Sequence, residues 1–151
     1  MFAIAAATSF AVAAFGGVED PVPNGFKVLY LFTGVRSVLG NDGSAATSIH
    51  CTSVADEPTM VRIQWFDGGG SALTDHQLQI GAGQSATFSS RATEFYADNV
   101  GASLNIVMGS ARILSDGSTK IICTGQVLDP IGDPPSYVVP LPGFSKAGAI
   151  R

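Results

Sequence analysis

Few residues of this sequence could take part in chemistry. It contains two cysteines, Cys51 and Cys123, and two histidines, His50 and His76. An adjacent Cys and His could form a nucleophilic pair, but neighbouring residues of a β-strand point to opposite faces, so His50 and Cys51 would diverge. The sequence also has no serine nucleophile elbow, phosphate-binding loop or zinc-protease motif. We therefore expect no catalytic residues and no cofactor, and predict that the protein is not an enzyme.

Two pairs of acidic residues could act as paired carboxylates or as metal ligands. Glu94 and Asp98 resemble the carboxylate pair of a glycosidase only in type, because nothing in the sequence sets their separation. Asp129 and Asp133 could supply oxygen atoms to Ca²⁺, but their spacing is not that of an EF-hand loop. We interpret Glu94, Asp98 and both histidines as solvated loop or outer-face residues. We predict no metal site, and the sequence leaves open a calcium site near Asp129 and Asp133.

The composition excludes several classes of protein. A net charge of −4 and an isoelectric point near 4.8 argue against a nucleic-acid partner. Charged residues make up only 13% of the 151 residues, so Ser, Thr, Gly, Asn and Gln must supply most of the polar surface. Such a surface costs little to desolvate and suits burial against neighbouring subunits. It is also typical of a secreted β-protein with a Ser/Thr-rich exterior.

The amino-terminal segment, residues 1–17, is apolar and uncharged. Its apolar run from Phe2 to Phe15 is shorter than the roughly 20 residues of a membrane-spanning helix, so we expect no stable membrane span. The length and the small residues favour an export signal, with Ala11-Val12-Ala13 as a cleavage pattern, although the basic residues that begin most signals are missing. A helical anchor is a further alternative.

The same segment has the period-2 pattern of a β-strand. Its large side chains, Phe2, Ile4, Phe10 and Val12, occupy even positions, whereas the odd positions from 3 to 13 hold only Ala and Ser. If the segment is retained, these four side chains could insert into a groove of a neighbouring subunit, each contributing roughly 1.5–3 kcal/mol. Strand addition of this kind is head to tail and propagates into a filament unless it closes.

The rest of the chain predicts β-strands separated by Gly-rich turns. Residues 18–25 form a linker, and residues 26–129 contain short alternating segments such as Val61-Arg62-Ile63-Gln64-Trp65. Residues 130–151 form a Pro-rich tail that cannot contain a central strand. We therefore predict an all-β protein with a single β-sandwich of immunoglobulin-like or related type, preceded by an apolar segment and followed by this tail.

Both cysteines lie on apolar faces of predicted strands. Because an even number of cysteines in an exported chain favours pairing, we predict a Cys51–Cys123 disulfide, with two buried thiols as the alternative. The bond would close a loop of about 70 residues and contribute roughly 4 kcal/mol to stability.

The order Cys51, Trp65, Cys123 resembles the Cys…Trp…Cys framework of immunoglobulin-like sandwiches. Residues 61–68 followed by residues 83–88 are similar to bacterial secreted immunoglobulin-like domains, in which a strand, an Asp-Gly turn and a Gly-Gln strand recur. The resemblance covers about residues 47–127 and implies a structural, adhesive or binding module. The tyrosine that the framework places two residues before the second cysteine is replaced by isoleucine here.

These observations together favour a non-enzymatic extracellular or cell-surface protein. The leading hypothesis is a self-assembling homo-oligomeric subunit of a fibre or surface layer, joined by strand addition. The alternative is a monomeric secreted module that binds a glycan or a protein after its signal is cleaved. Four aromatic residues could line a sugar platform, although Trp65 has the inward position of a core residue: Tyr30, Trp65, Tyr96 and Tyr137.

Overall fold

Ten β-strands form the described part of the chain, which is residues 21–40, 43–100 and 102–145 of a computed structural model. Within those ranges no helix is present that is long and apolar enough to cross a membrane. The strands are β1 (Lys27–Ser37), β2 (Ala46–Ser53), β3 (Thr59–Phe66), β4 (Ala72–Ile80), β5 (Ser85–Ser89), β6 (Asp98–Asn99), β7 (Ile106–Ser115), β8 (Ile121–Leu128), β9 (Val138–Leu141) and β10 (Gly143–Ser145).

The strands form two five-stranded sheets. Sheet I has the order β10-β1-β7-β3-β4, and sheet II has the order β6-β5-β2-β8-β9. All pairs are antiparallel except β5 and β6, which are parallel. Apolar side chains from both sheets form one shared core, so the predicted all-β sandwich is confirmed.

The core is built from alternate residues of each strand. In β3, Val61, Ile63 and Trp65 are buried, whereas Arg62 and Gln64 between them are partly exposed. This period-2 burial confirms the half-buried strand predicted from the same residues. The largest fully buried apolar residues of the shared core are Trp65, Phe32, Ile63, Ile106 and Ile113 of sheet I, with Ile80 at its edge, and Ile49, Phe88 and Ile121 of sheet II.

The Pro-rich tail supplies one edge strand to each sheet. β9 pairs with β8 in sheet II, and after Pro142 the chain enters sheet I, where β10 pairs with β1. Leu141, at the point of crossing, is buried in the core. Both strands of residues 130–145 lie at sheet edges, so the described part of the tail extends the sandwich beyond residue 129 and closes one side of it.

Gly143 allows β10 to approach the buried ring of Phe32. A Cβ atom at this glycine would lie 2.5 Å from Cε1 of Phe32, and the ring cannot move aside because it is fully buried. We predict that Gly143→Ala lowers the free energy of unfolding by about 1–3 kcal/mol through overpacking. Urea denaturation measures the change. Gly117→Ala is the matched control, because a Cβ atom at Gly117 meets nothing within 4 Å. Equal stability of the two variants would contradict the prediction.

Candidate functional site

The two cysteines form the expected disulfide, which lies within sheet II. Cys51 of β2 and Cys123 of β8 are directly opposite each other, with their Cα atoms 4.2 Å apart. This short separation is that of a non-hydrogen-bonded antiparallel pair. The disulfide of the immunoglobulin framework joins two sheets. Here the bond joins neighbouring strands of one sheet, and Trp65 packs from the other sheet.

His50 lies on the outer face of sheet II, on the opposite side of β2 from Cys51, as strand alternation predicted. Its Nδ1 atom is 2.9 Å from the hydroxyl oxygen of Thr87 on the neighbouring strand. The ring of Tyr96 packs edge-on against the imidazole, with 4.6 Å between ring centroids. Burial lowers the pKa of His50, and the nearby Asp98 carboxylate opposes this effect only in part. The imidazole is therefore neutral at neutral pH.

Asp98 fastens the segment of residues 91–98 onto this face. Its carboxylate accepts hydrogen bonds from the Ser89 hydroxyl at 2.5 Å, from the Thr93 hydroxyl at 2.6 Å and from the Thr93 backbone N–H at 2.8 Å. Asp98 also begins strand β6. Its interpretation as a solvated loop charge was therefore wrong, because both carboxylate oxygens hold the local fold.

The other predicted loop residues are separated from this cluster. His76 lies in the middle of β4 and packs edge-on against Phe88 of the opposite sheet, with 6.3 Å between centroids. The interpretation of His76 as a solvated loop or outer-face residue was wrong, because Asp75-His76 continues the alternation that ends at Ile80 and the His76 ring faces the opposite sheet. Glu94 is exposed, as predicted, and its backbone N–H donates a hydrogen bond to the carbonyl of Pro130.

Asp129 shapes the turn that precedes β9. One carboxylate oxygen accepts the backbone N–H of Ile131, and the other accepts the hydroxyl of Ser136 at 2.7 Å. These hydrogen bonds lower the pKa of Asp129. Asp133 is exposed nearby. Among the described residues, no group of three or more His, Cys, Asp or Glu side chains is placed to hold a metal ion.

The aromatic residues considered for a sugar platform do not form one together. Trp65 is in the core, as its inward position predicted. Tyr30 packs against the core and donates its hydroxyl to the Ile121 carbonyl at 2.8 Å, and Tyr137 donates to the Ser44 carbonyl. Only Tyr96 lies on the outer face of sheet II, where it packs edge-on against Phe95. Sequence reasoning missed Phe95, since a loop aromatic gives no periodic signal.

The outer edge of β4 (Ala72–Ile80), which we call the open edge, is nine residues long and has no partner strand among the described residues. β4 pairs with β3 on one side, and no described residue pairs with it on the other. It contains neither Pro nor Gly. The other edge strands are shorter: β6 has two residues, β10 has three, and β9 has four, including Pro140. The assembly residues predicted from the sequence, Phe2, Ile4, Phe10 and Val12, lie outside the described residues.

Two surfaces of the described residues are arranged so that they can contact a partner or a ligand. The open edge presents backbone N–H and C=O groups, which pair with no described residue, to another strand. The outer face of sheet II presents hydroxyls, His50 and Tyr96 to a ligand.

Comparison with known proteins supports the fold alone. No family model and no curated protein matches the sequence. The chain is similar to the protein in the crystal structure of Thermotoga maritima 1070, with a TM-score of 0.50 and 13% sequence identity. The similarity covers 81% of this chain and 93% of that one. It shows a shared fold and indicates no activity.

Proposed function

We propose that the protein is a non-enzymatic, extracellular structural subunit that assembles head to tail by strand addition. The observation that carries this proposal is the open edge of β4. A long, Pro-free edge strand is a template for another strand, and monomeric proteins usually shorten, charge or cover such edges. The one charged residue of β4, Asp75, forms a salt bridge with Arg62 of the neighbouring strand β3. Here the row of side chains facing the core ends in Leu78 and the buried Ile80, so an added strand also gains apolar contacts.

The donor in this proposal is the apolar segment of residues 1–15 of a second copy. Antiparallel or parallel pairing with β4 places its large side chains in one row and its small ones in the other. The row of Phe2, Ile4, Phe10 and Val12 would cover half-buried groups at the margin of the core, such as His76 and Leu78. Main-chain hydrogen bonds give affinity, and the large side chains set the register.

The disulfide and the low charge agree with this role. Disulfides persist in oxidising compartments, so the Cys51–Cys123 bond favours an extracellular location. Only 13% of residues are charged, which lowers the free-energy cost of burying the surface against neighbouring subunits.

Substitution of the donor face in the full-length chain tests the proposal. Ile4→Asp together with Phe10→Asp is expected to leave a folded monomer, because two carboxylates cannot enter an apolar row without desolvation. Light scattering and negative-stain microscopy report assembly. The control is Ile4→Val with Phe10→Leu, which keeps both positions apolar and is expected to assemble.

Hydrogen exchange identifies the acceptor edge in the same experiment. Backbone amides of Ala72–Ile80 should exchange more slowly in the assembled wild type than in the Asp variant, whereas amides of Val138–Leu141 should not change. If the Asp variant assembles as the wild type does, or if β4 shows no added protection, strand addition at this edge is wrong.

A further inference from the structure

The outer face of sheet II carries a ladder of polar side-chain pairs between β2 and β5. The hydroxyls of Ser48 and Ser89 are 2.7 Å apart, and those of Thr52 and Ser85 are also 2.7 Å apart. The His50–Thr87 hydrogen bond lies between these two pairs. Because Ile49 and Cys51 alternate with these residues and face the core, the whole ladder points away from it.

One end of the ladder is covered and the other is open. Ser48 and Ser89 are fully buried beneath the segment fastened by Asp98. Tyr96 accepts a hydrogen bond at 2.5 Å from the side-chain amide of Gln126, which lies opposite Ser48, and its ring contacts His50. Phe95 packs edge-on against Tyr96 at 4.7 Å and is 43% exposed. The two rings therefore form a wall beside the open part of the ladder.

We call this open part, with its wall, the polar shelf. Its floor continues from β2 onto β8, because Thr124 lies opposite His50 and Ile122 lies opposite Thr52. Thr124 and Ile122 are both exposed. The polar shelf consists of eight residues: His50, Thr52, Ser85, Thr87, Ile122, Thr124, Phe95 and Tyr96.

The polar shelf has no formal charge at neutral pH. It contains no Asp, Glu, Lys or Arg, and burial lowers the pKa of His50 so that the imidazole is neutral. Nδ1 of the imidazole is already engaged by Thr87. Nε2 and the exposed Thr124 and Ser85 hydroxyls are the groups that can donate or accept hydrogen bonds. An anionic or cationic ligand would gain no ion pair from these groups.

We propose that the polar shelf binds an uncharged polysaccharide chain. Sugar rings combine hydroxyl groups with C–H faces, which match a floor of hydroxyls and an aromatic wall. The floor is open along β2 and β8, so the ligand is a chain lying across strands rather than a small molecule enclosed in a cavity. Ile122 is the one exposed apolar side chain on the floor, so a polysaccharide with many hydroxyl groups matches these groups better than the apolar core of a protein interface would. This site is separate from the open edge and does not depend on the proposed assembly.

Affinity electrophoresis of the full-length protein tests the proposal. Four gels each contain one soluble neutral polysaccharide: a β-glucan, a galactomannan, an arabinoxylan or dextran. A fifth gel contains the anionic polygalacturonate. We expect retardation in at least one neutral gel and none in polygalacturonate. No retardation in any neutral gel, or retardation in polygalacturonate alone, would overturn the proposal.

Two variants of exposed residues locate the site. Thr124→Arg fills the floor and Phe95→Ala removes half of the wall, and each is expected to weaken retardation at least tenfold. The control, Thr33→Arg, places the same side chain on an exposed threonine of sheet I and is expected to bind as the wild type does. Thermal unfolding of each variant verifies the fold, and Phe95→Ala decides the question if Thr124→Arg does not fold. Wild-type retardation of folded Phe95→Ala would place any sugar binding elsewhere and overturn the assignment.

Discussion

Loss of the disulfide between Cys51 and Cys123 is expected to lower the free energy of unfolding by about 4 kcal/mol. The two cysteines are 72 residues apart in sequence, and a crosslink over such a loop removes much of the conformational entropy of the unfolded chain. Paired strands β2 and β8 already hold the cysteines opposite each other, so the native state needs no rearrangement to form the bond. The double variant Cys51→Ala/Cys123→Ala should therefore unfold at a much lower urea concentration.

The control separates the crosslink from packing. Wild-type protein unfolded in the presence of a reductant loses the bond but keeps both sulfur atoms, whereas the double variant also loses the buried Cys51 side chain. We expect most of the stability loss in both samples. An unchanged urea midpoint in reduced protein, or two titratable thiols in freshly isolated native protein, would contradict the prediction.

Phe32→Ala is expected to cost about 3–5 kcal/mol of unfolding free energy. The ring is fully buried, it contacts the core of both sheets, and β10 packs against it at Gly143. Deleting the ring removes its apolar burial and leaves a cavity that paired strands on either side cannot fill. Urea denaturation of Phe32→Ala against the wild type measures the cost.

The same ring provides a double-mutant test of the contact with β10. Gly143→Ala overpacks only because the ring of Phe32 is present, so it should cost much less in a Phe32→Ala background. Additive effects of the two substitutions would show that the close approach of Gly143 does not determine stability. Gly117→Ala, which touches nothing, should behave identically in both backgrounds.

Alternation in the sequence predicted which residues face the core, but it did not predict the partner of each strand. The pattern of Val61, Ile63 and Trp65 requires only that one face of β3 is buried. Its position between β7 and β4 depends on pairing with residues about fifty positions later, for which the local sequence carries no signal. The disulfide was predictable because the sequence has two cysteines. Its location within one sheet was not, because that depends on the pairing of β2 with β8.

Alternation likewise predicted some features of the candidate sites and not others. The outward orientation of His50 follows from alternation with Cys51 and was predicted. The packing of Tyr96 on His50, and the role of Asp98, come from an irregular segment that folds back over sheet II, and irregular segments have no periodicity to interpret. The open edge of β4 could not be predicted either, because an edge is defined by the strands that are missing beside it.

The tail that crosses between the sheets affects how the chain folds during synthesis. In sheet I the first strand, β1, pairs with the last strand, β10. In sheet II, β8 pairs with β9, which is the last strand of that sheet in chain order. During synthesis β9 and β10 emerge from the ribosome after the other eight described strands, so until then β1 and β8 each lack one neighbouring strand. Such long-range closure slows folding and prolongs exposure to aggregation. The addition of β9 and β10 therefore sets the time at which β8 and β1 are covered and can no longer pair with strands of another chain.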